Sequence, residues 1–387
     1  MCPSDQQYIA VGKPMQTQTI KRFLLLGVVP KKHMTDEIVL KEMEEVWSLV
    51  MALGQGEIVD AIVQRADHPD NATYIGPGKI VEVAEKVNEK QIDVVVLNNI
   101  AKAGQVHNLQ KKLYEANHNI EVWDRVDLIL AIFSRHAHTS EAKLQIELAK
   151  MRHMGPRIYG MGQVLSNQAS GIGAVGIGET NTELMKRHWA RAMDKVTKDL
   201  EKLSQERERQ LEHRKRMGLS TISIVGYTNA GKTTLFNRLT GKGKLEANQL
   251  FATLDSSVGK LYLPTLQKEV LVSDTIGFIK NLPPKLIQAF RSTLSESIHA
   301  DILIHVIDIS DPEINQKITT VEEILKSLSV ENAYKIYVFN KIDAGGRDRE
   351  FYQGKYSEFS PVFLSAKTDE GIDALVTLLE EKMKILE

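Results

Sequence analysis

Apolar positions divide the chain into three stretches with different periodicities. Within residues 1–137, residues 22–29 (RFLLLGVV) read as a buried strand, with an unbroken apolar run after Arg22 as a strand covered on both faces requires. Met43, Val46, Trp47 and Val50 then recur at helical spacing. A second apolar stretch at 57–63 leads into the loop Tyr74-Ile-Gly-Pro-Gly-Lys79, followed by a helical pattern over 80–90 and a strand at 92–97 (IDVVVL). Strands alternating with helices predict a mostly parallel α/β layer.

Residues 138–218 change character. Thr139 or Ser140 is placed to cap a helix, Lys143 and Glu147 sit one turn apart, and Leu144, Leu148 and Met151 keep helical spacing. Gly155-Pro156 predicts the end of that helix. After a glycine-rich loop, a charged helix is expected from Thr180 or Asn181. Its apolar stripe of Trp189, Met193, Val196, Leu200 and Leu203 alternates by four and three, a short coiled-coil seam. The expectation is an antiparallel helical hairpin.

Residues 219–387 return to strand–helix alternation, with strands at 222–225, 270–273, 302–309, 335–339 and 362–364. That pattern predicts a doubly wound domain. The expected fold is therefore α/β: an N-terminal α/β domain (1–137), a helical hairpin with a glycine-rich loop (138–218) and a doubly wound P-loop domain (219–387).

Composition narrows the function classes. At 387 residues the chain is too long for one ordinary core, and its 42% hydrophobic and 26% charged residues are globular values. A formal net charge of -1 gives no global attraction to polyanions, so any nucleic-acid surface must arise from local charge segregation. Cys2 is the only cysteine, which excludes an intrachain disulfide and fits a reducing cytosol. Residues 1–13 lack a signal-peptide pattern, and no apolar run approaches the ~20 residues that span a bilayer. A soluble, cytoplasmic monomer is expected.

Candidate chemistry concentrates in the third stretch. Gly226-Tyr227-Thr228-Asn229-Ala230-Gly231-Lys232-Thr233 fits G-x-x-x-x-G-K-[ST] between a strand and a helix, and Thr234 follows in the first turn. The glycines let backbone N–H groups turn toward phosphate oxygens, and the helix N-terminus favours the anion. Lys232 is placed to reach the β and γ phosphates, and the Thr233 hydroxyl to ligate Mg²⁺. Asp274-Thr275-Ile276-Gly277 follows an apolar strand and supplies a carboxylate behind the Mg²⁺ and a glycine N–H for the γ-phosphate. Asn340-Lys341-Ile342-Asp343 follows another strand. The Asp343 carboxylate matches the N1–H and 2-amino group of guanine, a pair that adenine lacks, so GTP and GDP are the expected ligands. Ser365-Ala366-Lys367 can back the base with a backbone N–H. Phe251, Ala252 and Thr253 lie where a switch segment contributes a threonine to the Mg²⁺ shell. Phe278 follows Gly277 and cannot orient water by hydrogen bonds, which predicts slow intrinsic hydrolysis that awaits a partner. Asn229 leaves two readings open, a K⁺ ligand or a brace for its loop.

With these residues in place the chain resembles the HflX family of ribosome-associated GTPases over nearly its whole length. Gly226–Lys232, Leu250-Phe-Ala-Thr-Leu-Asp255 and Asp274-Thr-Ile-Gly-Phe278 are similar to that family's phosphate loop and switches. The longer segments Asp124-Arg125-Val-Asp-Leu-Ile-Leu-Ala-Ile-Phe133 and Lys143-Leu-Gln-Ile-Glu-Leu148 resemble its approach to the hairpin. The resemblance implies binding to the large (50S) ribosomal subunit and its rRNA, with GTP-dependent separation of stalled or idle 70S ribosomes. Two departures stand out. Gly173-Ala-Val175-Gly-Ile177-Gly-Glu179-Thr180 carries Val and Ile where the family has Arg and Pro, which removes a guanidinium from any RNA contact there. Longer members also carry a further C-terminal domain, whose function is not expected of residues ending at Glu387.

The residues themselves bear on RNA more weakly. Residues 184–217 hold eleven Lys and Arg against six Asp and Glu, a surplus of five that includes Arg214-Lys215-Arg216. Such a helix is either a solvated coiled-coil face or a phosphate-neutralising surface, and the resemblance favours the second. A large-subunit assembly timer and a non-ribosomal GTP-dependent switch remain alternatives. His136, His138 and His153 lack acidic partners at matching spacing, so structural or surface roles are expected. The Tyr74–Lys79 loop reads as a Gly-Pro turn rather than a second nucleotide site, and whether ATP binds there stays open.

Overall fold

The computed structural model describes residues 20–31, 36–54, 56–169, 181–242, 257–275, 277–279, 286, 298–330, 333–344 and 349–386. β1 (Lys21–Val29), β2 (Gly56–Arg65), β3 (Val94–Leu97) and β4 (Glu121–Trp123) form an all-parallel sheet in the order β2-β1-β3-β4. Parallel strands need crossovers, supplied by α1 (Asp36–Ala52), α2 (Pro77–Glu89) and α3 (Ala103–Leu113), and α4 (Arg125–His136) follows β4. Strand side chains alternate between faces, so the apolar run of β1 feeds two cores. Phe23 and Leu25 pack with Val46, Leu49, Val126 and Phe133 of α1 and α4. Leu24 and Leu26 pack with Val83, Val87, Val106 and Leu109 of α2 and α3.

Beyond α4 the hairpin begins. α5 (Ser140–Ala169) is capped by Thr139, whose hydroxyl accepts from Ala142 N at 3.2 Å. α6 (Asn181–Arg216) runs antiparallel to it: Trp189 Nε1 donates to Met151 O at 3.1 Å while Arg207 pairs with Glu141 at 3.0 Å. Val196 is buried, and Trp189, Met193, Leu200 and Leu203 are half-buried, so the stripe read from the sequence forms the seam. The expected helix end at Gly155-Pro156 is wrong, because α5 continues through both residues for 30 residues in all. Proline removes one backbone donor and crowds the preceding turn, at a cost of about 3 kcal/mol in a helix interior. Tertiary ties on either side of Pro156 offset that cost. His153 and Arg157 both reach Asp124 and Asp127 at the start of α4. Ala142, Ile146 and Ala149 of α5 are buried in the core under β1.

These ties also correct the expectation that His153 has no acidic partner. Asp124 is fully buried and caps α4, accepting from Val126 N at 2.9 Å and Asp127 N at 3.0 Å. His153 Nε2 lies 3.1 Å from Asp124 and 3.3 Å from Asp127, and Arg157 reaches the two at 3.0 and 2.6 Å. The acids sit a helix away in sequence, which is why spacing around the histidine missed them. The three ligand-type side chains lie within 4.8 Å of one another, but the Arg157 guanidinium already balances the carboxylates, so the group is an ion-pair cluster.

The third region is a six-stranded sheet in the order β10-β9-β8-β5-β7-β6. Its strands are β5 (Thr221–Gly226), β6 (Ser257–Leu263), β7 (Lys268–Asp274), β8 (Ile302–Asp308), β9 (Tyr334–Asn340) and β10 (Val362–Phe363), parallel except for β6 on β7. Helices α7 (Lys232–Thr240), α8 (Ile314–Ser327), α9 (Arg349–Lys355) and α10 (Ile372–Leu386) complete the described part. The sequence reading lacked β6. It is an antiparallel edge strand in which Gly259, Leu261 and Leu263 turn inward while Lys260 and Tyr262 stay exposed. The two halves share a core, since Ile279 and Leu286 of the third region pack among Phe23, Leu25 and Phe133.

The His153 cluster predicts a pH-dependent stability. Burial disfavours the imidazolium, but the Asp124 and Asp127 carboxylates outweigh it and hold the pKa up at about 9. Arg157 NH2 also lies 2.9 Å from Nε2, a contact that suits neutral imidazole; two buried carboxylates at hydrogen-bond distance favour the charged form. A raised folded pKa gives stability that is complete below about 6.5 and lost as pH rises through about 9. Thermal unfolding of the wild type should therefore lose on the order of 3 kcal/mol relative to His153→Gln across that window. Parallel stability curves for the two proteins would rule the linked proton out.

Candidate functional site

β5 delivers the chain to a tight loop of Gly226, Tyr227, Thr228, Asn229, Ala230 and Gly231, and Lys232 opens α7. Gly231 has φ +92, and a Cβ there would come within 2.2 Å of Asn340 Nδ2, so only glycine lets the loop meet the Asn340 side chain. Lys232 is 7% exposed, and its Nζ donates to Tyr227 O at 2.7 Å, leaving further N–H donors for a ligand. Burial, opposed by Asp274 and reinforced by Lys341, pulls the Lys232 pKa down to about 8. An anion beside it would restore the full charge. Thr233 Oγ1 donates to Asp274 Oδ2 at 3.0 Å, and Thr234 is half-buried in the same turn. Asn229 is exposed at φ +62.

The end of β7 is held against this loop. Thr275 Oγ1 donates to Ile224 O at 2.7 Å. Thr228 N donates to Phe278 O at 2.8 Å and Phe278 N to Gly226 O at 3.1 Å, a parallel bridge between the two motifs. A Cβ on Gly277 would meet Thr228 Cγ2 at 2.8 Å and Lys232 Nζ at 2.9 Å, so the bare backbone lies directly beside the lysine. Phe278 is 1% exposed and packs among Val225, Leu303 and Val321. It therefore faces the sheet core, away from the site. Its neighbour Ile279 enters the core shared with the N-terminal sheet. Phe251, Ala252, Thr253 and Ile276 lie outside the described residues, as does the glycine-rich loop over 173–180.

At the ends of β9 and β10 the third and fourth motifs meet the first. Asn340 Nδ2 donates to Ala230 O at 2.8 Å while its Oδ1 accepts from Ala366 N at 2.9 Å. Ser365 Oγ donates to Asp343 Oδ1 at 2.6 Å and fixes one carboxylate oxygen. Lys341, at φ +67, reaches back to Asp308 at 2.6 Å. Lys367 is exposed at the rim.

Gly226–Thr234, Asp274, Thr275, Gly277, Asn340, Lys341, Asp343, Ser365, Ala366 and Lys367 are thus drawn to the strand ends of one sheet. The Thr233 hydroxyl and the Asp274 carboxylate form an all-oxygen donor pair, the kind that suits Mg²⁺. Sequence reading missed several contacts. Tyr227 Oη donates to Glu45 Oε1 at 3.2 Å, and Glu45 pairs at 2.7 Å with Arg125, itself 3% exposed. The Lys317 ammonium sits 4.9 Å from the Tyr227 ring centre. Arg238 of α7 grips the Ala366–Lys367 backbone. No motif marks Glu45, Lys317 or Arg238, because each comes from a distant segment or from a helix position that the pattern does not specify.

Comparison with known proteins agrees with this geometry. Three family models match, described as GTP-binding GTPase N-terminal (residues 40–134), GTP-binding GTPase Middle Region (136–214) and 50S ribosome-binding GTPase (221–341). GTPase HflX of Caldanaerobacter subterraneus subsp. tengcongensis is 37% identical over 368 residues, 94% of this chain and 81% of that protein. GTPase HflX of Escherichia coli K12 is 36% identical over 353 residues, 91% and 81% of the two chains. Among solved structures, a GTP-binding protein from the archaeon Sulfolobus solfataricus in complex with GDP aligns at 26% identity and a TM-score of 0.51, covering 95% of this chain and 100% of that one. The SsGBP–GDP complex aligns at 27% and 0.53, covering 94% and 98%. On the sequence likeness, which spans most of both chains, this chain belongs to the HflX family of GTPases.

Proposed function

We propose that the chain binds GTP and GDP at the Lys232 cleft, hydrolyses GTP with Mg²⁺, and uses that cycle on the large ribosomal subunit to split or rescue stalled and idle 70S ribosomes. The observation that carries the nucleotide half is Asn340, whose amide joins the phosphate loop at Ala230 to the base loop at Ala366. In this reading Lys232, already turned inward by Tyr227 O, grips the β and γ phosphates, and Gly277 N–H meets the γ-phosphate. Mg²⁺, held by Thr233 with Asp274 behind it and Thr253 completing its shell, would neutralise charge on the phosphate oxygens. No covalent intermediate is needed: water attacks the γ-phosphorus, leaving GDP and phosphate, and Lys232 with the loop N–H groups stabilises the charge that moves. Phe278 is locked in the sheet core, so its side chain cannot position that water. Positioning must come from another segment or a bound partner, which supports hydrolysis stimulated by the ribosome.

The ribosomal half rests on the family descriptions and on α6. Its Lys198–Asp194, Lys202–Asp199 and Arg216–Glu212 pairs are solvent-exposed, with cation exposures of 66%, 73% and 76%. Exposed pairs of this kind are worth about 0–1 kcal/mol, so rRNA phosphates can displace the acids at little cost.

Lys232→Ala should weaken GTP and GDP binding by on the order of a hundredfold or more, read by titration calorimetry. Asp343→Asn should lose GDP affinity by on the order of a hundredfold and gain affinity for xanthosine diphosphate, whose 2-oxo group accepts from the new amide. Unchanged base preference would refute the guanine assignment. GTP turnover should rise when purified 50S subunits are added; an unchanged rate would sink the ribosomal reading. Sedimentation with 30S, 50S and 70S particles in GDP and in a non-hydrolysable GTP analogue should show nucleotide-dependent retention on 50S. That retention should be salt-sensitive and weakened by Arg214→Glu with Arg216→Glu.

A further inference from the structure

Arg238 stands outside every nucleotide motif, yet it touches the base loop directly. From α7, the helix that Lys232 opens, its Nε donates to Ala366 O at 3.1 Å and one terminal nitrogen donates to Lys367 O at 3.2 Å. Asp369 lies 3.1 Å from the same Nε and completes the arrangement. The loop is closed behind it: Ser365 N donates to Glu370 O at 2.9 Å, Thr368 N donates to Ser365 Oγ at 3.2 Å, and Ser365 Oγ donates to Asp343 at 2.6 Å. None of the described peptide bonds is cis. In a trans peptide the C=O and the following N–H point in opposite directions. Fixing Ala366 O toward Arg238 therefore turns Lys367 N–H away from α7. A planar guanidinium presents its donors in a rigid fork, so two successive carbonyls are held in one orientation, which a lysine ammonium cannot reproduce.

We infer that Arg238 is a specificity-positioning residue: by clamping the Ala366 and Lys367 carbonyls it aims the loop N–H at the O6 of guanine, and it ties base recognition to the helix that carries the phosphate lysine. The inference rests on the reading of Asp343 as the guanine ligand, and it assigns Arg238 the 6-position of the base where Asp343 takes the N1 and 2-amino side.

Competition binding on the full chain separates the two assignments, with GDP, 6-thio-GDP (a weak acceptor at the 6-position) and IDP (no 2-amino group) as probes. Arg238→Ala should lose roughly fivefold to tenfold in GDP affinity and much less for 6-thio-GDP, so the gap between these two closes. The GDP-to-IDP ratio, set by Asp343, should hold. Arg238→Lys keeps the charge beside Asp369 but loses the fork, and should behave as the alanine variant does. The inference is overturned if Arg238→Ala binds GDP within twofold of wild type. Equal losses of GDP and 6-thio-GDP would also overturn it, as expected of a general loosening of the fold, and so would full rescue by lysine. Asp343→Asn tests the underlying reading separately, since it should collapse the GDP-to-IDP ratio while the 6-thio gap persists.

Discussion

The side-chain amide of Asn340 is the joint on which the cleft depends. Its nitrogen donates to Ala230 O in the phosphate loop and its oxygen accepts from Ala366 N in the base loop, and the residue is 2% exposed. A carboxamide is the natural group for this position because it offers a donor and an acceptor on opposite sides of one plane. A carboxylate would face Ala230 O with an unmatched acceptor, and the desolvation cost of such a mismatch exceeds the worth of the bond lost. Gly231 is the complementary constraint, since a Cβ there would strike that same amide. The site is thus three loops drawn to one buried hydrogen-bonding group, and its geometry is already set by contacts within the protein.

A second constraint joins the halves of the molecule. Phe278 and Ile279 are consecutive, yet one packs among β5, β8 and α8 and the other in the core under β1 with Leu286. The segment after Gly277 is therefore strung between two hydrophobic cores, each anchor stabilising by about 1.5–3 kcal/mol. Close by, Tyr227 touches Glu45, which pairs with the buried Arg125 beside Asp124. A shift at Gly277 that accompanies a γ-phosphate must be absorbed by one core or the other. Packed cores yield in discrete steps rather than continuously, so a small displacement at Gly277 would be passed on as a step in one of them.

The sequence made eight of the ten described strands and the four nucleotide motifs legible because each is a local pattern, most often an apolar run ended by a short polar signature. What it hid were relations between distant segments. Pro156 reads as a helix end to any local rule, and only Asp124 and Asp127, reached by His153 and Arg157, show why the helix survives it. β4 escaped because it is only three residues long, and β6 because an edge strand buries one face and carries a weak alternating pattern. An apolar side chain at Phe278 offers water no hydrogen bond, and its burial turns it from the cleft as well, which no residue name conveys. Glu45 and Arg238 had no signal at all, since both act through geometry on residues that the motifs do mark.

The hairpin gives these couplings a mechanical setting. α5 is rooted in the N-terminal core through Ala142, Ile146 and Ala149, while α6 ends at Arg216, a few residues before β5 begins at Thr221. A 36-residue helix is about 54 Å long. Its partner, kept helical through a proline by an ion-pair cluster, braces it along the seam, with Trp189 and Arg207 bonded across at well-separated points. Force applied to such a braced arm reaches its base with little loss to bending. One arm's base is the N-terminal core that holds Ile279, and the other leads into the strand that carries the phosphate loop. In the proposed reading, contact with the hairpin and occupancy of the Lys232 cleft would therefore act on the same two elements, and a surface bound by α6 would bias nucleotide chemistry without approaching the nucleotide.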